Sequence, residues 1–180
     1  MSVLAGPFVL AASLLAIGGA LKLGRPHDTA QALTAMGLRT PRFTSSRTLV
    51  RVGGAIEVVV GVGALVTGGP IFALLVAFSY LLFAGFVVAA LRSGAPISSC
   101  GCFGKVDTPP SVVHVAIDLV LAAVAVGAAF AGDVALGDVL AEQPLLGLPF
   151  LFLIAIGLLL VFLAFTALPK TMAAVQEVAR

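Results

Sequence analysis

The sequence has no tryptophan, a single tyrosine and few charged residues. Charged side chains make up 10% of the 180 residues, whereas a soluble domain carries roughly a quarter. With so few charges the chain cannot cover a surface that faces water, which excludes an ordinary soluble domain. The mean hydropathy of +1.20 agrees, so the sequence indicates an integral membrane protein. Without tryptophan, the aromatic belts common at membrane surfaces would have to rely on phenylalanine.

Five apolar runs are long enough to cross a membrane. A spanning helix needs about 20 apolar residues, and the runs cover about residues 4–23, 49–66, 71–91, 112–131 and 145–168. We therefore predict an all-α fold, an integral membrane helical bundle with five spans in a single transmembrane domain over residues 1–180. The first run lacks the positive start of a signal peptide and is longer than its apolar core, so we interpret it as a retained helix.

The longest connection, residues 25–48, predicts a further short helix. Asp28 is a candidate cap for it and Gly37 a candidate end. The spacing of alanine, leucine and methionine in this segment favours a helix that lies along the membrane surface.

All ten lysines and arginines fall on one side of the predicted bundle. They lie in the 25–48 and 92–110 connections, in the C-terminal tail and at the adjoining helix ends. The positive-inside rule then predicts an outside N-terminus and a cytoplasmic C-terminus and 92–110 connection, in a bacterial-type plasma (inner) membrane. Because the cations are not gathered in one exposed basic domain, the net charge of +2 gives no indication of nucleic-acid binding.

Four ionisable residues lie within the predicted spans, where such groups are costly and mark candidate functional sites. Lys22 lies near the inner end of the first span, and Glu57 lies about 12 Å into the second at the helical rise. His114 and Asp118 are one turn apart in the fourth span and share a face. All four belong to the predicted cytoplasmic half of the bundle.

Each of these residues also has a structural interpretation. Glu57 could pair with Lys22 or Arg92, or be held neutral by desolvation. Arg51 follows a different face of the same helix and is the less suitable partner. Asp118 could accept a hydrogen bond from a serine or threonine on another helix, and His114 could be a satisfied histidine at a helix end. Four glycines indicate close packing between helices: Gly18, Gly19, Gly61 and Gly63.

Both cysteines of the chain, Cys100 and Cys102, lie in the polar stretch SSCGCFGK. Such a pair suits reversible dithiol–disulfide exchange, because the intervening glycine frees the backbone and a strained small-ring disulfide is labile. A cation such as Arg92 or Lys105, or protonated His114, would lower the pKa of a thiol and produce the attacking thiolate.

Two other interpretations of the cysteines stay open. A metal site with His114 as third ligand is one, although cysteines in structural zinc sites are usually two to four residues apart. The other is a pair of reduced thiols without a role. Of the three interpretations, dithiol–disulfide exchange is favoured.

The order of these features resembles a known family. GGALKLGRP ends the first helix, RVGGAIEVVVG follows in the second, a tyrosine lies in the third, and SSCGCFGKVDTPPSVVHVAIDLVL leads into the fourth. Over about residues 14–130 this is similar to the MauE-type proteins of methylamine utilisation, within the DoxX-like group. The resemblance implies a four-helix membrane bundle plus one helix, and a role in thiol–disulfide or sulfur redox chemistry beside thioredoxin-like partners. It points to Lys22, Arg51, Glu57, Cys100, Cys102, His114 and Asp118.

We therefore predict a membrane thiol–disulfide redox protein. Cys100 and Cys102 would exchange electrons with a thioredoxin-like protein or a small thiol, while His114 moves protons and Glu57 and Asp118 hold or relay charge. A lipid-soluble quinone between the helices is a candidate electron carrier, although no sequence feature indicates its pocket. The alternative is a non-enzymatic accessory or assembly subunit of a larger membrane complex. A transporter is disfavoured, since neither a repeat nor a pair of broken helices is evident.

The predicted orientation and the resemblance differ in one respect. The methylamine branch is associated with disulfide formation outside the cytoplasm, whereas the charge distribution puts the cysteines inside. In the reducing cytoplasm, disulfides form only as transient catalytic states. Either the thiols reduce or sense a molecule there, or the true topology is the inverse of the predicted one. We keep the orientation given by the charges.

Overall fold

The structure is a computed structural model that describes residues 3–35, 45–93, 110–132, 135–168 and 171. Within these ranges the chain is helical and has no strand. The helices are α1 (Ala5–Gly24), α2 (Pro26–Ala35), α3 (Ser46–Thr67), α4 (Pro70–Ser93), α5 (Val112–Ala131), α6 (Leu136–Ala141) and α7 (Leu148–Thr166), and a 3₁₀ turn covers Pro144–Gly147. Of these, α1, α3, α4, α5 and α7 are long and apolar enough to cross a membrane. The predicted all-α bundle with five spans is confirmed, and the chain is a multi-pass membrane protein.

The helix boundaries follow local capping signals. α3 begins before the predicted 49–66 run because the Ser45 side chain caps it, accepting a hydrogen bond from the Thr48 amide at 3.2 Å. α2 begins at Pro26, since proline suits the first helical position. The prediction that Asp28 caps this helix is therefore wrong, because Asp28 lies inside its first turn. The predicted end at Gly37 falls outside the described residues.

The spans form two closely packed pairs, α1 with α3 and α4 with α5. α1 lies at the centre and also contacts α4, α5 and α7. Half of the α1 span is buried inside the bundle, compared with 6% of the α7 span. Phe165 is the only buried residue of α7, and it joins the main hydrophobic core. α7 therefore lies at the outside of the bundle, where its apolar surface suits contact with lipid.

Glycines allow α1 and α3 to approach closely. A Cβ atom added at Gly19 would lie 2.6 Å from the Gly54 carbonyl oxygen, and one at Gly54 would lie 2.8 Å from the Gly19 carbonyl oxygen. At Gly61 it would lie 2.7 Å from the Ala12 carbonyl oxygen. The predicted close-packing role of Gly19 and Gly61 is confirmed. Small residues at such positions let membrane helices touch backbone to backbone.

We expect Gly54→Ala to lower the free energy of unfolding by about 1–3 kcal/mol, the usual cost of overpacking. The added methyl would meet the Gly19 backbone and the Cβ atom of Lys22, 3.1 Å away. Unfolding in detergent followed by circular dichroism measures this change.

The neighbouring glycine supplies the matched control. A Cβ atom at Gly53 would meet no atom within 4 Å, so Gly53→Ala should leave stability unchanged or raise it slightly. Equal losses in the two variants would contradict the close contact between α1 and α3.

Candidate functional site

The four ionisable residues predicted within the spans are all buried. Their exposed fractions are 7% for Lys22, 9% for Glu57, 2% for His114 and 3% for Asp118. They come from three helices, at the bundle end where α1 and α4 finish and α3 and α5 begin. None of the four faces lipid.

Lys22 and Glu57 form a buried ion pair between α1 and α3. The Lys22 Nζ atom lies 2.6 Å from Glu57 Oε1 and 2.8 Å from Oε2, so the ammonium donates to both carboxylate oxygens. It also lies 4.2 Å from the ring centroid of Phe83 on α4, within cation–π range. Because α3 starts at Ser46, three residues before the predicted run, Glu57 lies about 16 Å from the start of its helix at the helical rise. The paired charges satisfy each other at a depth where an isolated charge would be strongly disfavoured.

A small cavity inside the bundle brings this pair together with Asp118 and Tyr80. Its volume is about 20 Å³, which is room for about one water molecule. Phe83 and Phe165 also line it. The polar side chains of this cavity thus come from four helices: α1 supplies Lys22, α3 Glu57, α4 Tyr80 and α5 Asp118.

Tyr80 is a residue of this site that the sequence interpretation did not select. Its hydroxyl donates to the Ala11 carbonyl oxygen of α1 at 2.8 Å, and its ring packs edge to face on Phe83 with centroids 5.9 Å apart. The available signal was that this is the only tyrosine in a chain with twelve phenylalanines. A phenol in an apolar span is retained where its hydroxyl has a partner.

His114 connects α5 to α7. Its Nδ1 atom lies 2.8 Å from the Ser111 hydroxyl, and a second hydrogen bond joins its ring to the backbone of Phe165. The two rings are 5.2 Å apart, centroid to centroid. This is the arrangement of a satisfied histidine at a helix end. For His114 to bind zinc, the ring would have to give up one of these partners.

An open groove lies on the other side of the ion pair, between α2, α3 and α4. Its volume is about 270 Å³. Lys22 and Glu57 form its polar base, and Thr29 of α2 also lines it. Its remaining lining residues are apolar, apart from the small Gly53: Leu33, Leu49, Val50, Leu82, Phe83 and Phe86. Lys22, Glu57 and Phe83 line both the groove and the inner cavity, so they separate the two.

Two further predicted charge partners lie apart from this cluster. Arg51 and Arg92 have exposed side chains, and the ion pair found at Glu57 is the one with Lys22. Cys100 and Cys102 fall outside the described residues, between Ser93 at the end of α4 and Pro110 before α5. Their predicted role, like the catalytic roles of Glu57, His114 and Asp118, stays a prediction.

A known family matches the chain. The family model described as methylamine utilisation protein MauE covers residues 1–131, more than half of the chain and all of α1, α3, α4 and α5. Searches among curated proteins and among solved structures find no significant match.

Removing one partner of the ion pair should destabilise the bundle strongly. We expect Lys22→Met to lower the free energy of unfolding by about 3–5 kcal/mol, because the Glu57 carboxylate would stay buried without its counter-ion. The double variant Lys22→Met/Glu57→Leu should recover most of this loss, since an apolar pair of similar volume packs without a desolvation cost. Unfolding of the purified protein in detergent, titrated with a denaturing detergent, gives both values.

Arg51→Met serves as the control for loss of a cation at the same bundle end. The Arg51 side chain is exposed, so the variant protein should be about as stable as the wild type. Glu57→Leu alone completes the comparison. If the stability lost in the double variant equals the sum of the losses in Lys22→Met and Glu57→Leu, the two residues are not energetically coupled.

Proposed function

The chain belongs to the MauE family of methylamine utilisation proteins, and on that premise we propose that it is a membrane thiol–disulfide redox protein. Cys100 and Cys102 are the proposed reacting groups. The proposed partner is a thioredoxin-like protein or a small thiol.

The proposed reaction is thiol–disulfide exchange. A partner thiolate attacks the Cys100–Cys102 disulfide to give a mixed disulfide, and a second partner thiol then resolves it. One S–S bond breaks in the chain and one forms in the partner, while two electrons and two protons pass to the two cysteines. The same steps run backwards oxidise the chain.

One observation carries this proposal: Lys22, Glu57 and Asp118 meet in the bundle end to which the cysteine segment is attached. That segment follows α4 at Ser93 and precedes α5 at Pro110. Exchange of this kind moves protons together with electrons, and buried ionisable groups in membrane bundles commonly serve proton movement. We assign charge relay to Glu57 and Asp118, with Lys22 as the counter-ion of Glu57.

Three more residues at this end receive proposed roles. Arg92 is exposed in the last turn of α4, just before the cysteine segment, and is the proposed cation that favours a thiolate. Arg51, exposed near the start of α3, is a second proposed charge partner at this end. His114, hydrogen-bonded to Ser111 in the first turn of α5, is the proposed proton carrier.

The finer architecture is part of the proposal. We assign α1, α3, α4 and α5 to a DoxX-like four-helix core, with α7 as the additional helix, in one transmembrane domain over residues 1–180. The close pairing of α1 with α3 and of α4 with α5 supports this division, as does the single buried residue of α7.

We further propose a bacterial-type inner membrane with the cysteine segment and C-terminus on the cytoplasmic side. The charge distribution supports this, because all ten lysines and arginines belong to that side. A disulfide there would be a transient catalytic state, since the cytoplasm keeps thiols reduced.

Trapping of the thiols tests the redox role. Rapid alkylation of growing cells with a mass-tagged reagent should show two populations of the wild type, with both cysteines tagged or neither. A brief oxidant or reductant pulse should shift the ratio. In the direction in which the chain reduces its partner, one of Cys100→Ser and Cys102→Ser should accumulate a mixed disulfide, because it keeps the attacking thiol and lacks the second cysteine that would resolve the bond.

A pair that keeps one state through both pulses removes the proposal. If Cys100→Ser/Cys102→Ser also supports methylamine utilisation as well as the wild type, with partner abundance unchanged, the chain acts as an accessory or assembly subunit instead.

Labelling with a membrane-impermeant maleimide tests the orientation. The wild-type cysteines should react in inside-out vesicles and not in intact spheroplasts. In the Cys100→Ser/Cys102→Ser background, Glu142→Cys provides the opposite case, because Glu142 is exposed between α6 and α7 and should react only from outside. The reverse pattern at both positions would establish an inverted topology.

A further inference from the structure

We propose that the groove between α2, α3 and α4 binds the head group of a para-quinone dissolved in the membrane. The role of this ligand as an electron acceptor rests on the proposed thiol–disulfide function. The binding site itself consists only of groove residues.

The shape and lining of the groove suit a flat apolar ring. At about 270 Å³ it lies just below the usual range of ligand-pocket volumes, roughly 300–1,000 Å³, and so fits no more than a single ring system. Phe83 and Phe86 offer aromatic contacts, and Leu49 and Leu82 line the groove with partly exposed side chains. Because both leucines belong to spanning helices, a ring with an alkyl tail can enter from the bilayer.

The polar base of the groove suits a carbonyl oxygen. The Lys22 ammonium has three N–H donors, of which Glu57 accepts two among the described residues. The third can donate to a ligand oxygen, and Glu57 stabilises the positive charge that makes this donor strong. A quinone presents an apolar ring with a carbonyl acceptor and matches both features. An acyl chain has no acceptor for the donor, and an anionic lipid head group would meet the Glu57 carboxylate.

A quinone balances the electrons and protons of the proposed dithiol. When the Cys100–Cys102 dithiol becomes a disulfide, two electrons and two protons leave the sulfurs. A para-quinone takes up two electrons and two protons and becomes the quinol, so the two half-reactions balance. The groove lies at the bundle end where α4 finishes and α3 begins, and this is the end at which the cysteine segment is attached.

An introduced tryptophan tests binding without background, because the chain has none. Leu82→Trp places the indole in the groove, while Leu81→Trp is the control on the adjacent position, with a similarly exposed side chain and a similar depth. In liposomes, decyl-benzoquinone should quench the Leu82→Trp fluorescence in a saturable way. Quenching of Leu81→Trp should rise only linearly, as expected for collisions in the bilayer.

A groove-filling variant and a carbonyl-free competitor sharpen the result. Gly53→Leu extends into the groove from a position whose Cβ has open space, so the fold should be retained and the apparent Kd of the saturable phase should rise about tenfold or more, a loss of about 1.4 kcal/mol or more of binding free energy. Decylbenzene should not displace the quinone. Linear quenching at both positions overturns the proposal, and displacement by decylbenzene shows an acyl-chain site instead.

This experiment separates the site from the thiol chemistry. Saturable quenching should persist in Cys100→Ser/Cys102→Ser, and it then supports the site whether or not the thiols cycle. If the thiols cycle and quenching is linear, the groove assignment fails while the proposed function stands.

Electron transfer has its own readout. Under anaerobic conditions the pre-reduced protein should convert about one quinone to quinol per chain, the balance of one dithiol against one quinone. Gly53→Leu should slow this conversion, and the double serine variant should show none. Saturable binding without quinol formation would overturn the role of the ligand as acceptor.

Discussion

The backbone contact between α1 and α3 is the constraint on which the site depends. Gly19 and Lys22 are three residues apart on α1, and Gly54 and Glu57 are three residues apart on α3, so each glycine shares a helix face with the charged residue beside it. The glycines remove the side chains that would separate the helices. A short bidentate pair can then form in the apolar interior. Without that geometry the desolvation of two charges would outweigh their attraction.

The ion pair also divides the space around it. One face borders the apolar groove and the other borders the cavity with Asp118 and Tyr80. A molecule at the base of the groove therefore contacts the Lys22–Glu57 ion pair. A shift of either side chain would also alter the surroundings of the Asp118 carboxylate. The arrangement joins a ligand-sized space to buried ionisable groups through only two polar side chains, Lys22 and Glu57.

Much of the fold could be predicted from the sequence because the bilayer imposes a simple rule on length and hydropathy. All five spans and the burial of Lys22, Glu57, His114 and Asp118 follow from apolar runs and their rare polar residues. The starts of α2 and α3 were harder to predict, because Pro26 and the Ser45 cap lie outside the apolar runs.

The specific contacts of the site could not be predicted. Hydropathy does not predict which cation pairs with Glu57, so the sequence left Lys22 and Arg92 as candidates. The close packing of α1 on α3 brings Lys22 to Glu57. The tyrosine of the third span contributes to the family resemblance, but a lone aromatic residue in a span has no pattern that predicts a place in the site. The bond from Tyr80 to the Ala11 carbonyl exists only through the packing of α4 on α1. The groove combines residues of four helices and has no signature along the chain.

α7 belongs to the part of the chain beyond the family match, yet its one buried side chain, Phe165, closes the polar cavity. His114 holds that phenylalanine in place through its ring and backbone. On the α7 side of the bundle, access of water to the inner carboxylates therefore depends on this one phenylalanine side chain. Chains with a different last helix could keep the same charged interior while wetting it to a different degree.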